Sequence, residues 1–281
     1  MTRVLVMTDS TCDLPRTWLE RYDIRVVPTY VHFGLESLAD DGVQLTRDDF
    51  YRRLATTNEP AKTSAPPVGQ VLEMMRQALA EADHVIALTA PARLSAIFNT
   101  FRLAAEQTAP DRVTLIDSGS LSMGLGWLVL IAAEQAAAGA APAEIAQTIR
   151  QTLPRVEVWA ALDTLEYLRR SGRIGWARAM MGGLFQIKPI IRLYDGVVSS
   201  VTRARTAQRA FSTLVELVRA AAPLDRLAVM HSYFPEGGER LAHTLVDLSP
   251  HAEIPIVDAT PVLGVHVGPH ALGAAVVRSS R

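Results

Sequence analysis

Cysteine occurs once in this 281-residue chain, as Cys12, which excludes an internal disulfide and suits a reducing compartment. Lysine is almost as scarce: Lys62 and Lys188 are the only two, so nearly all positive charge is arginine. The formal net charge of −1 provides no global field to gather nucleic acid or an anionic membrane. Charged residues are 20% of the chain against 49% hydrophobic, a core-rich composition that excludes disorder. Asp9, Asp13 and Pro15 fall where an export signal needs an apolar run. The most apolar window, Leu121 to Ala138, is alanine-rich, broken by Gly124, Gly126 and Glu134, and short for a bilayer span. A soluble, cytoplasmic protein is expected.

Familiar chemistry is missing too. No G-x-x-x-x-G-K-[ST] occurs, and Gly124-Leu125-Gly126 lacks the third glycine and strand-to-helix placement of a dinucleotide fingerprint. His266 and His270 are four apart, but Gly268-Pro269 between them prevents the helix that would aim both at one metal. Neither a metal nor a cofactor is expected.

What is present is alternation. Val4 to Met7, Ile24 to Phe33, His84 to Leu88 and Val113 to Ile116 read as strands. Between them, Thr46 to Leu54, the stripe Val68, Val71, Leu72, Met75 and Leu79, and a helix from Leu94 to Ala105 capped by Ser95 read as helices. Asp13 is placed to cap a helix with Pro15 in its first turn, and Lys62 to Pro67 reads as a loop. This order predicts a parallel sheet covered on both faces. Leu153-Pro154-Arg155 breaks the pattern, so a domain boundary is expected there, giving residues 1–155 and 156–281. In the second part, Asp195-Gly196 between Ile187 to Tyr194 and Val197 to Val201 is a strong hairpin signal. A small apolar helix through Met180 and Phe185, helices over 207–218 and 236–246, strands over 227–230 and 254–257, and a closing strand over 274–277 complete it. The glycine-rich stretch Pro261 to Gly273 is not expected to form a plain helix. A hairpin beside helices predicts an α+β domain with a mixed sheet.

Ligands of parallel sheets bind outside the carboxyl ends of the strands. Thr8, Asp9, Ser10, Thr63, Ser64, Thr89, Ser95, Asp117 and Ser118 are expected to gather there. Any one of these hydroxyls is an ordinary helix cap. Several converging beside helix N-termini favour a bound anion, and the shortage of lysine favours one carboxylate over a polyphosphate. Serine plus histidine raises a second reading, an acyl-ester hydrolase with Ser64, Ser95 or Ser118 as nucleophile and His266 as base. No G-x-S-x-G surrounds any of the three.

Asp163 and Glu166 have capping-box spacing, Leu162, Leu165 and Leu168 recur at helical intervals, and Ser171-Gly172 ends the run. Arg169, Arg170 and Arg173 then crowd the carbonyl end of that helix, where positive charge offsets the macrodipole. They serve either as a helix terminus or bridge to the other domain, or as a docking surface for a partner or an anionic membrane.

The stretch from Leu162 to Gly172 resembles the signature of the DegV family of bacterial proteins. Thr8-Asp9-Ser10-Thr11, Thr63-Ser64-Ala65-Pro66, Asp117-Ser118 with Gly124 and Gly126, Arg173-Ile174, Lys188-Pro189-Ile190, Asp195-Gly196 and Gly264 to Pro269 are similar to family segments in family order. Leu94-Ser95-Ala96-Ile97-Phe98 stands where the family has Leu-Ser-Gly-Thr-Tyr, and His270 where it has glycine. The resemblance implies two α/β domains, a Rossmann-like N-terminal one and a C-terminal α+β one, with one long-chain fatty acid between them. It implies a carboxylate held by Thr63, Ser64 and Ser95 with His266 close by. It further implies a non-catalytic protein that presents the acyl chain to a separate kinase for acyl phosphate formation. The hydrolase and a plain interaction module are the alternatives.

Overall fold

The computed structural model describes residues 2–57, 60–173, 187–251 and 253–280. Strand β1 (Val4–Asp9) is buried at every position, so its apolar run has no polar face. A 3₁₀ turn, Ser10–Cys12, leads to α1 (Arg16–Arg21). The single strand expected over Ile24 to Phe33 is two. Pro28, with no N–H to give a ladder, lies between β2 (Arg25–Val27) and β3 (Tyr30–Phe33), and the chain passes there from one sheet into another.

Strand β3 pairs antiparallel with β4 (Glu36–Ala39), helix α2 (Arg47–Thr56) follows, and β5 (Lys62–Ser64) returns to the other edge of β3. The segment expected as a loop therefore contains a strand. Helix α2 starts as its sequence predicts: Asp49 N–H donates to the Thr46 hydroxyl at 3.2 Å and that hydroxyl donates to the Asp49 carboxylate at 2.9 Å. Next come α3 (Val68–Glu81), β6 (His84–Thr89), α4 (Ile97–Glu106), β7 (Val113–Asp117), α5 (Met123–Ala137) and α6 (Pro142–Thr152). The order β2-β1-β6-β7, parallel throughout, makes the expected parallel sheet.

The second sheet takes all its strands from residue 156 onward. They are β8 (Val156–Ala161), then, after α7 (Glu166–Arg170), β9 (Lys188–Tyr194) and β10 (Val197–Ala204). Helix α8 (Ala207–Ala220), β11 (Leu224–His231), α9 (Pro235–Leu245), β12 (Ile256–Asp258), α10 (Pro261–Val267) and β13 (Leu272–Arg278) follow. The order is β10-β9-β8-β13-β11-β12, parallel only between β11 and β12, so the sheet is mixed as expected. Asp195 and Gly196 both have positive φ, 49° and 69°, the geometry of a two-residue hairpin turn. The helix expected through Met180 and Phe185 lies outside the described residues.

Helix α5 joins the two sheets. It packs on β1 and β6 of the parallel sheet and on β8, β11 and β13 of the mixed one. That position explains its composition, since a helix apolar on every side is a helix covered on every side. One continuous core runs through it, from Val6 and Leu88 to Val158 and Ala275.

Two sequence expectations need correction here. The Asp163–Glu166 capping box does not form: α7 begins at Glu166, whose N–H donates to the Thr164 hydroxyl at 3.1 Å, while Asp163 pairs with Lys188. The glycine-rich tail does form a helix, α10, because its glycine is a packing residue: a Cβ on Gly264 would lie 2.5 Å from the Phe50 ring. The helix stops at Gly268, φ 70°, where a Cβ would meet the Tyr167 ring at 2.1 Å.

Candidate functional site

Partners in a sheet register point to the same face. Val158 lies opposite Leu193 and Ala275, Ala160 opposite Ile191 and Gly273, and Gly273 opposite Met230. This apolar face looks toward α10 and the Leu121-Ser122 segment ahead of α5. Between them lies a cavity of about 130 Å³ with an almost wholly apolar lining that includes Val158, Ala160, Ile191, Leu193, Leu263 and Val267. At roughly 10–15 Å³ per water-sized sphere, that is room for about ten. Leu263 and Val267 are four apart, so one stripe of α10 forms a wall.

His266 precedes Val267 on that helix. Its Nε2 lies 3.2 Å from the Thr63 hydroxyl on β5. Its Nδ1 is buried with no hydrogen-bond partner among the described residues. Burial first, and the charge of Arg173 second, push the imidazole pKa down to about 4, so the ring is neutral at pH 7. In the tautomer that accepts the Thr63 hydroxyl proton at Nε2, the neutral ring carries its own proton on Nδ1, a buried donor with no acceptor among the described residues. An anionic oxygen would satisfy a donor at that position.

The other expected site residues disperse. Side chains alternate along β5, so Ser64 faces away from Thr63, is exposed, and meets His32 Nε2 at 2.8 Å. Ser95 is half-buried ahead of α4 and accepts from the Ile97 N–H at 3.3 Å, but the helix begins one residue later than a cap at Ser95 requires and its N-cap position falls to Ala96, so Ser95 is not the cap. Ser118 is buried and donates to the Ser120 carbonyl at 2.9 Å. None of these serines hydrogen-bonds His266. The three arginines divide: Arg169 and Arg170 both grip Glu166, at 2.6 Å and 2.8 Å, and the hydrogen bonds hold its carboxyl down to about 2. Arg173 donates to the Ser171 carbonyl at 2.7 Å and has no carboxylate partner among the described residues.

Sequence reading missed what anchors the histidine-bearing helix. The Asp13 carboxylate accepts from Thr260 N–H at 2.9 Å and the Asp40 carboxylate from Val262 N–H at 3.2 Å. Burial raises the pKa of Asp13 to about 6 and of Asp40 to about 7, with Arg47 opposing in both. Asp13, expected to cap α1, sits at φ 52° and serves a helix 247 residues away. Only its acid type and its place after β1 were visible in the sequence. Among the described residues no cluster of His, Cys, Asp or Glu is spaced to hold a metal, and no helix is long and apolar enough to cross a membrane.

A family model described as uncharacterised protein, DegV family, matches residues 3–279. The chain belongs to the DegV family. A DegV domain-containing protein of Streptomyces coelicolor is 34% identical over 283 residues, covering 99% of each chain. A solved DegV family protein from Thermus thermophilus, described by its fatty acid binding, is 30% identical with a TM-score of 0.90, covering 99% of this chain and 100% of its own. DegV from Bacillus subtilis, described as a fatty acid binding protein, is 27% identical with a TM-score of 0.88 and the same coverages. The two-domain DegV fold read from sequence is the fold of this chain.

Proposed function

We propose that this protein binds one long-chain fatty acid between its 1–155 and 156–281 domains, with the acyl chain in the cavity and the carboxylate at the Thr63–His266 pair. The observation that carries the reading is the buried Nδ1 of His266, without a partner among the described residues, on a helix whose neighbouring side chains wall an apolar space. The fatty acid binding of the Thermus thermophilus and Bacillus subtilis relatives supports it. Burying a chain of about 15 methylenes contributes roughly 12 kcal/mol gross. Hydrogen bonds from hydroxyls and the ring add about 0.5–1.5 kcal/mol each. Affinity therefore comes from the tail and orientation from the head.

The protein acts as a carrier and not as an enzyme, and it needs neither metal nor cofactor. Thr63 and His266 form the head-group site, and Arg173 directs positive charge at it. Ser64 stays on the outer face of β5. The carrier works in the cytoplasm, presents the carboxylate to a separate kinase that forms the acyl phosphate, and touches anionic membrane during exchange. Arg169, Arg170 and Arg173 supply the docking charge for both. A hydrolase requires a serine within reach of His266, and the hydroxyl found there is that of Thr63.

Native mass spectrometry of protein purified from bacteria, followed by lipid extraction, tests the reading. One bound fatty acid per chain is expected. Delipidated protein that takes up no fatty acid at micromolar concentration overturns it.

A further inference from the structure

The acyl cavity ends against a wall that it shares with a second hollow. Near the N-terminal end of α10 a groove of about 900 Å³ is lined by Asp13, Asp258 and Thr260 among others, whereas Ser122, His231 and Ala259 line the cavity. Polar pairs with one member on each side separate the two. Ser122 Oγ donates to Asp13 at 2.5 Å, and His231 Nδ1 lies 3.2 Å from the Asp258 carboxylate. The Asp13–Thr260 hydrogen bond ties this wall to the helix. Ser122 holds φ 52° and ψ −142°, a backbone conformation that L-residues avoid. Its N–H donates to the Thr11 carbonyl at 2.8 Å and its hydroxyl to Asp13, so both ends of the residue are fixed. Strain of this kind persists where the surroundings over-determine a position.

We infer that this septum, with Ser122 at its centre, sets the upper limit on acyl-chain length. The inference rests on the fatty acid reading above and deepens it. Thr260 and His266 are six residues apart, about 9 Å of helix rise, so the wall stands at the end of α10 away from the head group. Each methylene added to a chain that stays inside the cavity tightens binding about fourfold. The gain stops where the next carbon must part Ser122 from Asp13, because that strands a buried carboxylate. The space beyond is ample, and the hydrogen-bonded wall is what withholds it.

Two substitutions move the limit in opposite directions. Ser122→Gly removes the side chain and suits the positive φ. Ala259→Val adds bulk on the cavity side of the same wall. Dissociation constants of the delipidated full chain for a graded series of saturated fatty acids give the readout. In the unmutated protein the constant is expected to fall about fourfold per methylene up to one length and then to level off. Ser122→Gly extends that length and Ala259→Val shortens it. Folded variants that bind fatty acids with the break point unmoved overturn the septum and leave the carrier reading intact. If Ser122→Gly fails to fold, Ala259→Val decides alone, and an unmoved limit is again fatal. An unmutated protein that binds no chain of any length removes the carrier reading and this inference with it.

Discussion

The Thr63 hydroxyl and the His266 Nε2 stand 3.2 Å apart although 203 residues separate them in the chain. Neither residue is placed by its own element alone. Thr63 is on an edge strand of the small antiparallel sheet, and His266 is on a short helix hung from Asp13 and Asp40. Thr63→Ala is expected to weaken fatty acid binding by about 1–3 kcal/mol, since the ring that donates to the carboxylate loses the hydroxyl that fixes its tautomer. Fatty alcohols of equal length lose much less. An equal loss for acid and alcohol, measured by calorimetry, shows that the hydroxyl serves the fold.

His266 leaves a signature in pH. Its folded pKa, about 4, lies below the ordinary 6.5, so the folded state resists its protonation. The stability it contributes is fully present above about pH 6.5 and is lost as pH falls through about 4. A carboxylate placed beside the ring raises that pKa, so fatty acid binding between pH 4 and 6.5 takes up protons. Calorimetry in buffers of different ionisation enthalpy reads the uptake, and His266→Gln abolishes it. Uptake that survives the substitution disproves the contact.

Asp40 acts in the opposite sense. Its folded pKa, about 7, is raised by burial, so its contribution is fully present below about pH 4 and lost as pH rises through 7. Asp40→Asn keeps an acceptor for the Val262 N–H and removes the buried charge. The variant is expected to lose less stability than the unmutated protein on going from pH 5 to pH 8, as thermal melts at the two values report. Identical slopes place the titration elsewhere.

The arginine cluster divides into Arg169 and Arg170, which pair with Glu166, and Arg173, which has no carboxylate partner among the described residues. Glu166 already holds Arg169 and Arg170, and exposed pairs of this kind contribute little to stability. Arg169→Ala is therefore expected to leave the melting temperature almost unchanged and to weaken association with a kinase or anionic vesicles only slightly. Arg173→Ala weakens that association more, and it raises the pKa of His266 by removing a nearby positive charge. An unmoved His266 titration in nuclear magnetic resonance separates Arg173 from the head-group site.

Local signals in the sequence carried much of this structure. The fully buried β1, the Thr46–Asp49 box and the Asp195-Gly196 turn each depend on residues a few positions apart, and each formed where its pattern lay. What stayed hidden depends on distant partners. Asp13 has the form of a local cap and becomes one for α10, because a buried acid goes to whichever unpaired N–H groups the fold brings to it. Ser64 and Thr63 are adjacent in sequence, so only the alternation of a strand hidden inside an expected loop could part them. Ser122 offered no pattern at all, since its strained backbone and its bond to Asp13 exist only once both sheets have closed on α5.

Strand β13 is the last of its sheet to be synthesised, yet it lies in the middle, between β8 and β11. Until residues 272–278 have been added, those two neighbours remain open edges that any passing strand can join. Leu272 and Gly273, on the same strand, line the cavity, so the cavity lacks part of its wall before that point. If the cavity holds the proposed acyl chain, loading follows the addition of β13, and a chain truncated ahead of residue 272 is expected to be empty and prone to aggregate.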